Sequence, residues 1–69
     1  MEKLEIGTLV ESLVSLELVD GTEIKKGDVG IVVENELVAS EHYHTSFDYK
    51  IVINNNELYV FKDEIAPYT

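Results

Sequence analysis

The chain has no cysteine, no tryptophan, no arginine and only one proline among its 69 residues. Without cysteine, neither disulfides nor thiolate metal sites can add stability. A domain of this size buries only about 60% of its unfolded surface, so we expect a thin core. No apolar run approaches the ~20 residues that span a bilayer, and the start at Met1–Glu5 does not resemble an export signal. We therefore expect a cytoplasmic protein that does not bind membranes.

Acidic residues dominate the charge, with 14 Asp and Glu against 5 Lys and a net charge of -9. Nucleic-acid binding depends on cations that neutralise phosphates, so we expect no direct nucleic-acid contact. The N-terminal third is the negative end, because residues 1–24 hold six acids against Lys3. Two interpretations stay open. The charge keeps the domain soluble, or it attracts a protein partner with a basic surface.

Short β-branched segments predict a single all-β domain over residues 1–69. Val29–Glu34 is typical of a strand, and Gly30 within it indicates a bulge or a close backbone approach. Apolar residues stand at both odd and even positions of this strand, which favours a strongly bent sheet that folds over itself and buries more of them than an open sheet would.

The clearest hairpin lies further along the chain. Tyr49–Ile53 and Glu57–Phe61 predict its two strands, and Asn54–Asn56 supply residues that accept left-handed conformations in the turn.

Residues 8–15 allow two interpretations. Thr8 and Glu11 fit a capping box at the start of a short helix. Against this, Val14, Leu16 and Leu18 alternate with polar residues and lead into Asp20-Gly21, a dipeptide typical of tight hairpin turns. We favour a strand followed by a hairpin-like excursion.

The remaining segments give weaker signals. Residues 35–46 show no sustained period, so they predict a long loop, with one helical turn around Leu37–Ala39 as an alternative. Lys62–Ile65 predicts a single tight turn that returns Ile65 to the core. Pro67 fits an edge strand, where its missing N–H costs no hydrogen bond.

The order of these segments resembles that of SH3-like barrels of the KOW type, and is most similar to small SH3-like proteins that are often phage-encoded. The resemblance implies a small, partly open barrel of about five short strands, with a single helical turn before the last strand. It covers most of the chain and rests on these segments: Ile6–Val10, Ile24–Glu34 with its Gly-Asp-x-Gly-x-Val pattern, Tyr49–Ile51 and Val60–Ile65.

Reactive constellations are few. His42 and His44 point the same way if their segment is extended, and Glu41 and Asp48 could complete a metal site, although two loop histidines are more often solvated. No nucleophile motif and no phosphate-binding loop are found. We therefore expect no enzyme activity, no metal and no cofactor.

The aromatic residues cluster in the C-terminal half. Tyr49, Tyr59 and Phe61 fall on adjacent predicted strands and would stack across the sheet. Alternatively, Tyr43, Phe47 and Tyr59 form an exposed patch for a partner. The candidate partner-binding residues join this patch to the acidic hairpin: Glu17, Asp20, Glu23, Tyr43, Phe47 and Tyr59.

Three hypotheses for function follow. The first is a non-catalytic protein-interaction domain, an accessory or inhibitory protein of phage or bacterial origin. The second is an acidic decoy that imitates nucleic acid and blocks a nucleic-acid-binding protein. The third is a virion or assembly component that pairs an edge strand with another subunit, which leaves homo-oligomerisation open.

Overall fold

The computed structural model of the chain describes residues 3–36, 38–40 and 45–68. A single 3-10 turn, Lys62–Glu64, precedes the last strand. The strands are, in chain order, β1 (Leu9–Ser12), β2 (Leu16–Glu17), β3 (Glu23–Ile24), β4 (Val29–Glu34), β5 (Val38–Ser40), β6 (Thr45–Phe47), β7 (Tyr49–Ile53), β8 (Asn56–Val60) and β9 (Ile65–Pro67). Within the described ranges, no helix is long and apolar enough to cross a membrane.

Five of these strands form one antiparallel sheet in the order β8-β7-β4-β1-β9. The pairs β2–β3 and β5–β6 are separate two-stranded hairpins. The predicted fold class is confirmed: the protein is a small all-β domain built on a five-stranded antiparallel sheet, with a helical turn before its last strand. Pro67 lies on the edge strand β9, as predicted, and Ile65 returns to the core with 5% of its surface exposed.

The core lies on the concave side of the sheet. Leu4, Leu16 and Leu18 are partly buried against it, so the β2–β3 hairpin is folded over the core. The buried apolar residues are Val10, Ile24, Val32, Tyr49, Ile51, Ile53, Leu58, Val60 and Ile65.

Of the two interpretations of residues 8–15, the strand is confirmed, because Leu9–Ser12 form β1. The predicted hairpin-like excursion is also present. Leu16 pairs with Ile24, and Glu17 pairs with Glu23, on either side of the turn that contains Asp20-Gly21.

The loop prediction for residues 35–46 is wrong in its described part. Val38–Ser40 and Thr45–Phe47 pair as an antiparallel hairpin, with neither a long loop nor a helical turn at Val38 and Ala39. This hairpin lies in the chain between β4 and β7, which pair with each other, so the pairing of these two strands brings the two ends of the segment together.

Gly30 sits where three strands approach closely. It pairs with Val10 on one side and Ile53 on the other. A Cβ atom at this position would lie 2.5 Å from the carbonyl oxygen of Val52. The predicted close approach is therefore present at Gly30, whereas the register shift lies further along, between Val32 and Glu34.

The β7–β8 turn is one residue shorter than predicted. Asn54 and Asn55 have φ values of 51° and 65°, and Asn56 already begins β8, paired with Ile53. Two left-handed residues between paired strands form a type I′ turn. Because side chains alternate along a strand, a shift of one residue moves every side chain of β8 to the opposite face.

The convex face of the sheet is not fully covered. Leu9, Ile31 and Val52 form a cross-strand row on β1, β4 and β7. Leu9 is 51% exposed and Ile31 is 37% exposed. The bent sheet therefore leaves this row partly exposed.

Candidate partner-binding groove

A groove of about 460 Å³ separates the segment Leu16–Asp20 from β8. Its apolar lining comes mainly from leucines and aromatic rings, and its polar lining is mostly acidic. The lining residues are Leu16, Glu17, Leu18, Val19, Asp20, Phe47, Lys50, Asn56, Glu57, Leu58, Tyr59 and Glu64.

The groove runs along the edge of β8. Its lining includes the four consecutive residues Asn56–Tyr59. Successive side chains of a strand point to opposite faces, and here Leu58 belongs to the buried core while Tyr59 lies on the other face. A cavity that touches both must lie beside the strand. Among the described strands, none pairs with this side of β8, which ends the sheet.

Aromatic rings form one part of the groove wall. The ring of Phe47 stacks on that of Tyr59 with centroids 5.8 Å apart, and it meets the ring of Phe61 at 4.6 Å. The prediction that Tyr49 joins this stack is wrong. Tyr49 pairs with Val60 and faces the core, where its hydroxyl accepts a hydrogen bond from the Leu4 N–H at 2.9 Å.

Lys50 is the single cation among the lining residues. Its ammonium lies 3.3 Å from a carboxylate oxygen of Glu57 and 3.8 Å from one of Glu34. The same Nζ lies 5.9 Å from the centre of the Tyr59 ring. The hydrogen bond to Glu57, followed by its charge and that of Glu34, raises the pKa of Lys50. The positive charge of Lys50 is therefore already compensated within the protein.

The opposite wall carries carboxylates without such compensation. Glu17 lies directly across from Glu23 in the β2–β3 hairpin, and neither forms an ion pair with another described residue. Asp20 occupies the turn, where the Thr22 N–H donates to its carboxylate at 2.9 Å. This backbone hydrogen bond lowers the pKa of Asp20, which stays charged at neutral pH.

The end of the groove near Glu64 is held by hydrogen bonds. The Phe61 N–H donates to the Glu64 carboxylate at 2.7 Å. The Lys62 N–H donates to the Asp48 carboxylate at 2.8 Å, which connects the 3-10 turn to the bend before β7. These contacts fix the backbone around the aromatic rings.

The structure brings together most of the predicted partner-binding residues. Glu17, Asp20, Phe47 and Tyr59 all line the groove. Glu23 is not in the lining but opposes Glu17 in the hairpin.

The other predicted positions lie in residues 41–44. Tyr43 and the candidate metal ligands Glu41, His42 and His44 are all outside the described residues. Among the described residues, no group of three or more His, Asp or Glu side chains could hold a metal ion.

Lys50, Glu57 and Glu64 are groove residues that the sequence did not single out. The hydrophobic residues Leu16, Leu18 and Val19 were also missed as binding residues. Lys50 and Glu57 could have been found from the hairpin pattern. With a two-residue turn, both lie on the same face of the β7–β8 hairpin as Tyr59.

Comparison with known proteins finds no matching family model, no matching curated protein and no matching solved structure.

Proposed function

We propose that the protein is a non-catalytic protein-interaction domain that binds a basic segment of a partner protein in the groove. The observation that carries this proposal is the joining of apolar and acidic surface in one concavity beside β8.

The distribution of charge supports a basic partner. Glu17 and Glu57 are exposed, and the lining contains four acids, of which Lys50 offsets one. Exposed carboxylates suit ion pairing and electrostatic steering, whereas general acid–base catalysis depends on partly buried groups with strongly altered pKa values.

Aromatic and leucine side chains supply the second part of the recognition. Tyr59 and Phe47 give rigid contact area, and Leu16 and Leu18 extend from the core to the groove. A partner that inserts apolar side chains here gains affinity that salt does not screen.

The test is affinity capture followed by a binding measurement with the purified partner. We expect the double variant Glu17→Lys with Asp20→Lys to lose binding. The matched control, Glu5→Lys with Glu36→Lys, makes the same charge change at exposed positions outside the groove lining and should bind nearly normally. Equal loss in both double variants would reject the groove as the binding site.

A second pair of variants tests the aromatic wall. Tyr59→Ala should weaken binding while the amide NMR spectrum stays folded. Tyr68→Ala is the control, because Tyr68 is 51% exposed and does not line the groove. A Tyr59→Ala protein that binds as well as the wild type would contradict the proposal.

The acidic-decoy function is the alternative, favoured by the opposed carboxylates of Glu17 and Glu23. A decoy competes with nucleic acid for its target, and its affinity falls steeply as salt rises. Displacement of the partner by added duplex DNA, with no loss of binding in Tyr59→Ala, would support the decoy over groove binding.

A further inference from the structure

We propose that the partner segment binds as an added β-strand along the free edge of β8, with basic and apolar side chains at alternate positions. This inference rests on the proposed function, since it specifies how the groove holds its occupant. It follows from the hydrogen-bonding pattern of the β7–β8 hairpin.

The turn determines which backbone groups of β8 face outward. In a type I′ turn the flanking residues, here Ile53 and Asn56, form a pair that exchanges both hydrogen bonds. Pairs along an antiparallel ladder then alternate, so Leu58 bonds to β7, whereas Glu57 and Tyr59 direct their N–H and C=O groups to the open side. The Val60 carbonyl accepts the Asp48 N–H at 3.1 Å, which agrees with this alternation.

An added strand would therefore bond to Glu57 and Tyr59 inside the groove. Its residues opposite these two would place their side chains on the convex face, beside the Glu57 carboxylate and the Tyr59 ring. Arginine fits there, because it pairs with carboxylates and stacks on aromatic rings.

The intervening residue of the added strand has different neighbours. It would lie opposite Leu58 and point to the concave side, where Leu16 and Leu18 pack against the core. An apolar side chain such as valine fits this position. The groove thus selects an alternating pattern of basic and apolar residues.

The negative charge of the chain favours a basic segment over a second copy of the chain as the occupant of the groove. Antiparallel pairing of two β8 edges would place a second molecule of net charge -9 against this acidic edge. The five residues of β8 also give an edge of about 17 Å, long enough for a short peptide strand.

The experiment uses the full chain and the capped peptide Arg-Val-Arg-Val-Arg, followed by amide NMR. We expect the Glu57 and Tyr59 amides to shift and to exchange more slowly with solvent. The control peptide Arg-Arg-Arg-Val-Val has the same composition without alternation and should bind more weakly.

Two N-methylated versions of the alternating peptide distinguish strand pairing from other binding in the groove. One carries N-methyl groups on the amides of alternate residues, and the other carries them on the remaining residues. If the peptide pairs with β8 along one side, only alternate amides donate hydrogen bonds to β8. Methylation of these amides should lower the affinity of the peptide about tenfold or more, and methylation of the others should change it little. Equal effects of the two sets would overturn strand addition.

Variants add an independent check. Glu57→Gln should weaken peptide binding, whereas Lys50→Gln should strengthen it, because Glu57 is then free to pair with arginine. Glu57 is exposed and Lys50 is partly buried at the groove, outside the apolar core, so both replacements should leave the fold intact by amide NMR. Unchanged affinity in both would count against the convex-face contacts.

The remaining outcomes are also informative. If the alternating peptide fails to bind but the captured partner still depends on Tyr59, strand addition is rejected and the groove function stands. If neither binds, both proposals fail. Concentration-dependent protection of Glu57 and Tyr59 without peptide would identify a second copy as the occupant and reject the basic segment.

Discussion

Glu17 and Glu23 stand directly opposite each other on β2 and β3. Like charges in opposed positions destabilise an antiparallel pair. We therefore expect Glu23→Lys, which creates an opposite-charge pair, to raise the free energy of unfolding by about 0.5–1 kcal/mol. Urea unfolding followed by circular dichroism measures this change.

The control for that variant is Glu5→Lys, which removes the same negative charge at an exposed position outside the hairpin. This control variant measures the effect of a less negative net charge alone. An equal gain in both variants would show that the opposed pair has no specific effect.

The hydroxyl of Tyr49 holds the N-terminal segment through its hydrogen bond with the Leu4 N–H. Tyr49→Phe keeps the buried ring but removes the acceptor, so we expect a loss of about 1 kcal/mol in stability. Amide exchange at Leu4 should become faster. Tyr68→Phe changes an exposed tyrosine for which no hydrogen bond of the hydroxyl is seen with a described residue, and it should leave both measurements unchanged.

Gly30 has no room for a side chain. Gly30→Ala would bring its Cβ to 2.5 Å from the Val52 carbonyl oxygen and 2.9 Å from the Ile53 Cβ, so the backbone of β7 must shift. We expect a loss of about 2–3 kcal/mol, as in overpacked cores. Thermal unfolding measures it.

Gly21→Ala is the control for this prediction, because it separates the effect of steric clash on stability from the effect of backbone conformation. Gly21 has a φ of 89°, but no atom lies within 4 Å of the place that a Cβ would take, so only the backbone strain of about 1–2 kcal/mol applies. A Gly30→Ala protein that is no less stable than Gly21→Ala would contradict the close approach.

The ion pairs of Lys50 predict a pH dependence at the alkaline end. Its folded pKa is raised above the ordinary 10.5, mainly by the hydrogen bond to Glu57. A raised pKa means that the stabilisation is fully present below 10.5 and is lost as the pH rises through the folded value. We expect Lys50→Gln to be less stable than the wild type at neutral pH, with the difference disappearing at high pH. Urea midpoints across this range test it, and a constant difference would refute it.

Elements with strong local signals were predictable from the sequence. Val29–Glu34 is rich in β-branched residues, and the asparagines after Ile53 accept positive φ, so strand and turn follow from backbone preferences. The tight turn before Ile65 was also predictable, because polar residues interrupt two apolar segments.

The predicted stacking of Tyr49 on Tyr59 was wrong, and the cause is the register of the hairpin, whereas the contact of Phe47 with Tyr59 fits the alternative of an aromatic patch. Three turn residues would place Tyr49 and Tyr59 on one face, whereas the observed two-residue turn pairs Tyr49 with Val60 and Lys50 with Tyr59. Three successive asparagines do not reveal which two adopt the left-handed conformation, and a single-residue difference reverses the face.

The groove itself depends on contacts between distant parts of the chain. Leu16 and Leu18 fold the first hairpin over the core beside Leu58, and this tertiary packing has no local pattern. The sequence identified the acidic hairpin and the aromatic residues separately. Their arrangement around the β8 edge could be seen only in the folded structure.

The open edge of β8 also has a consequence for solubility. Unpaired strand edges are templates for aggregation, and charged side chains are one means by which proteins block it. Here the Glu57 carboxylate and the net charge of -9 would oppose such pairing between two copies of the chain by electrostatic repulsion. Loss of negative charge in strong acid would remove the repulsion while the edge remains exposed. In the proposed function, the acidity that attracts a basic partner would therefore also oppose edge-to-edge pairing of the unbound protein.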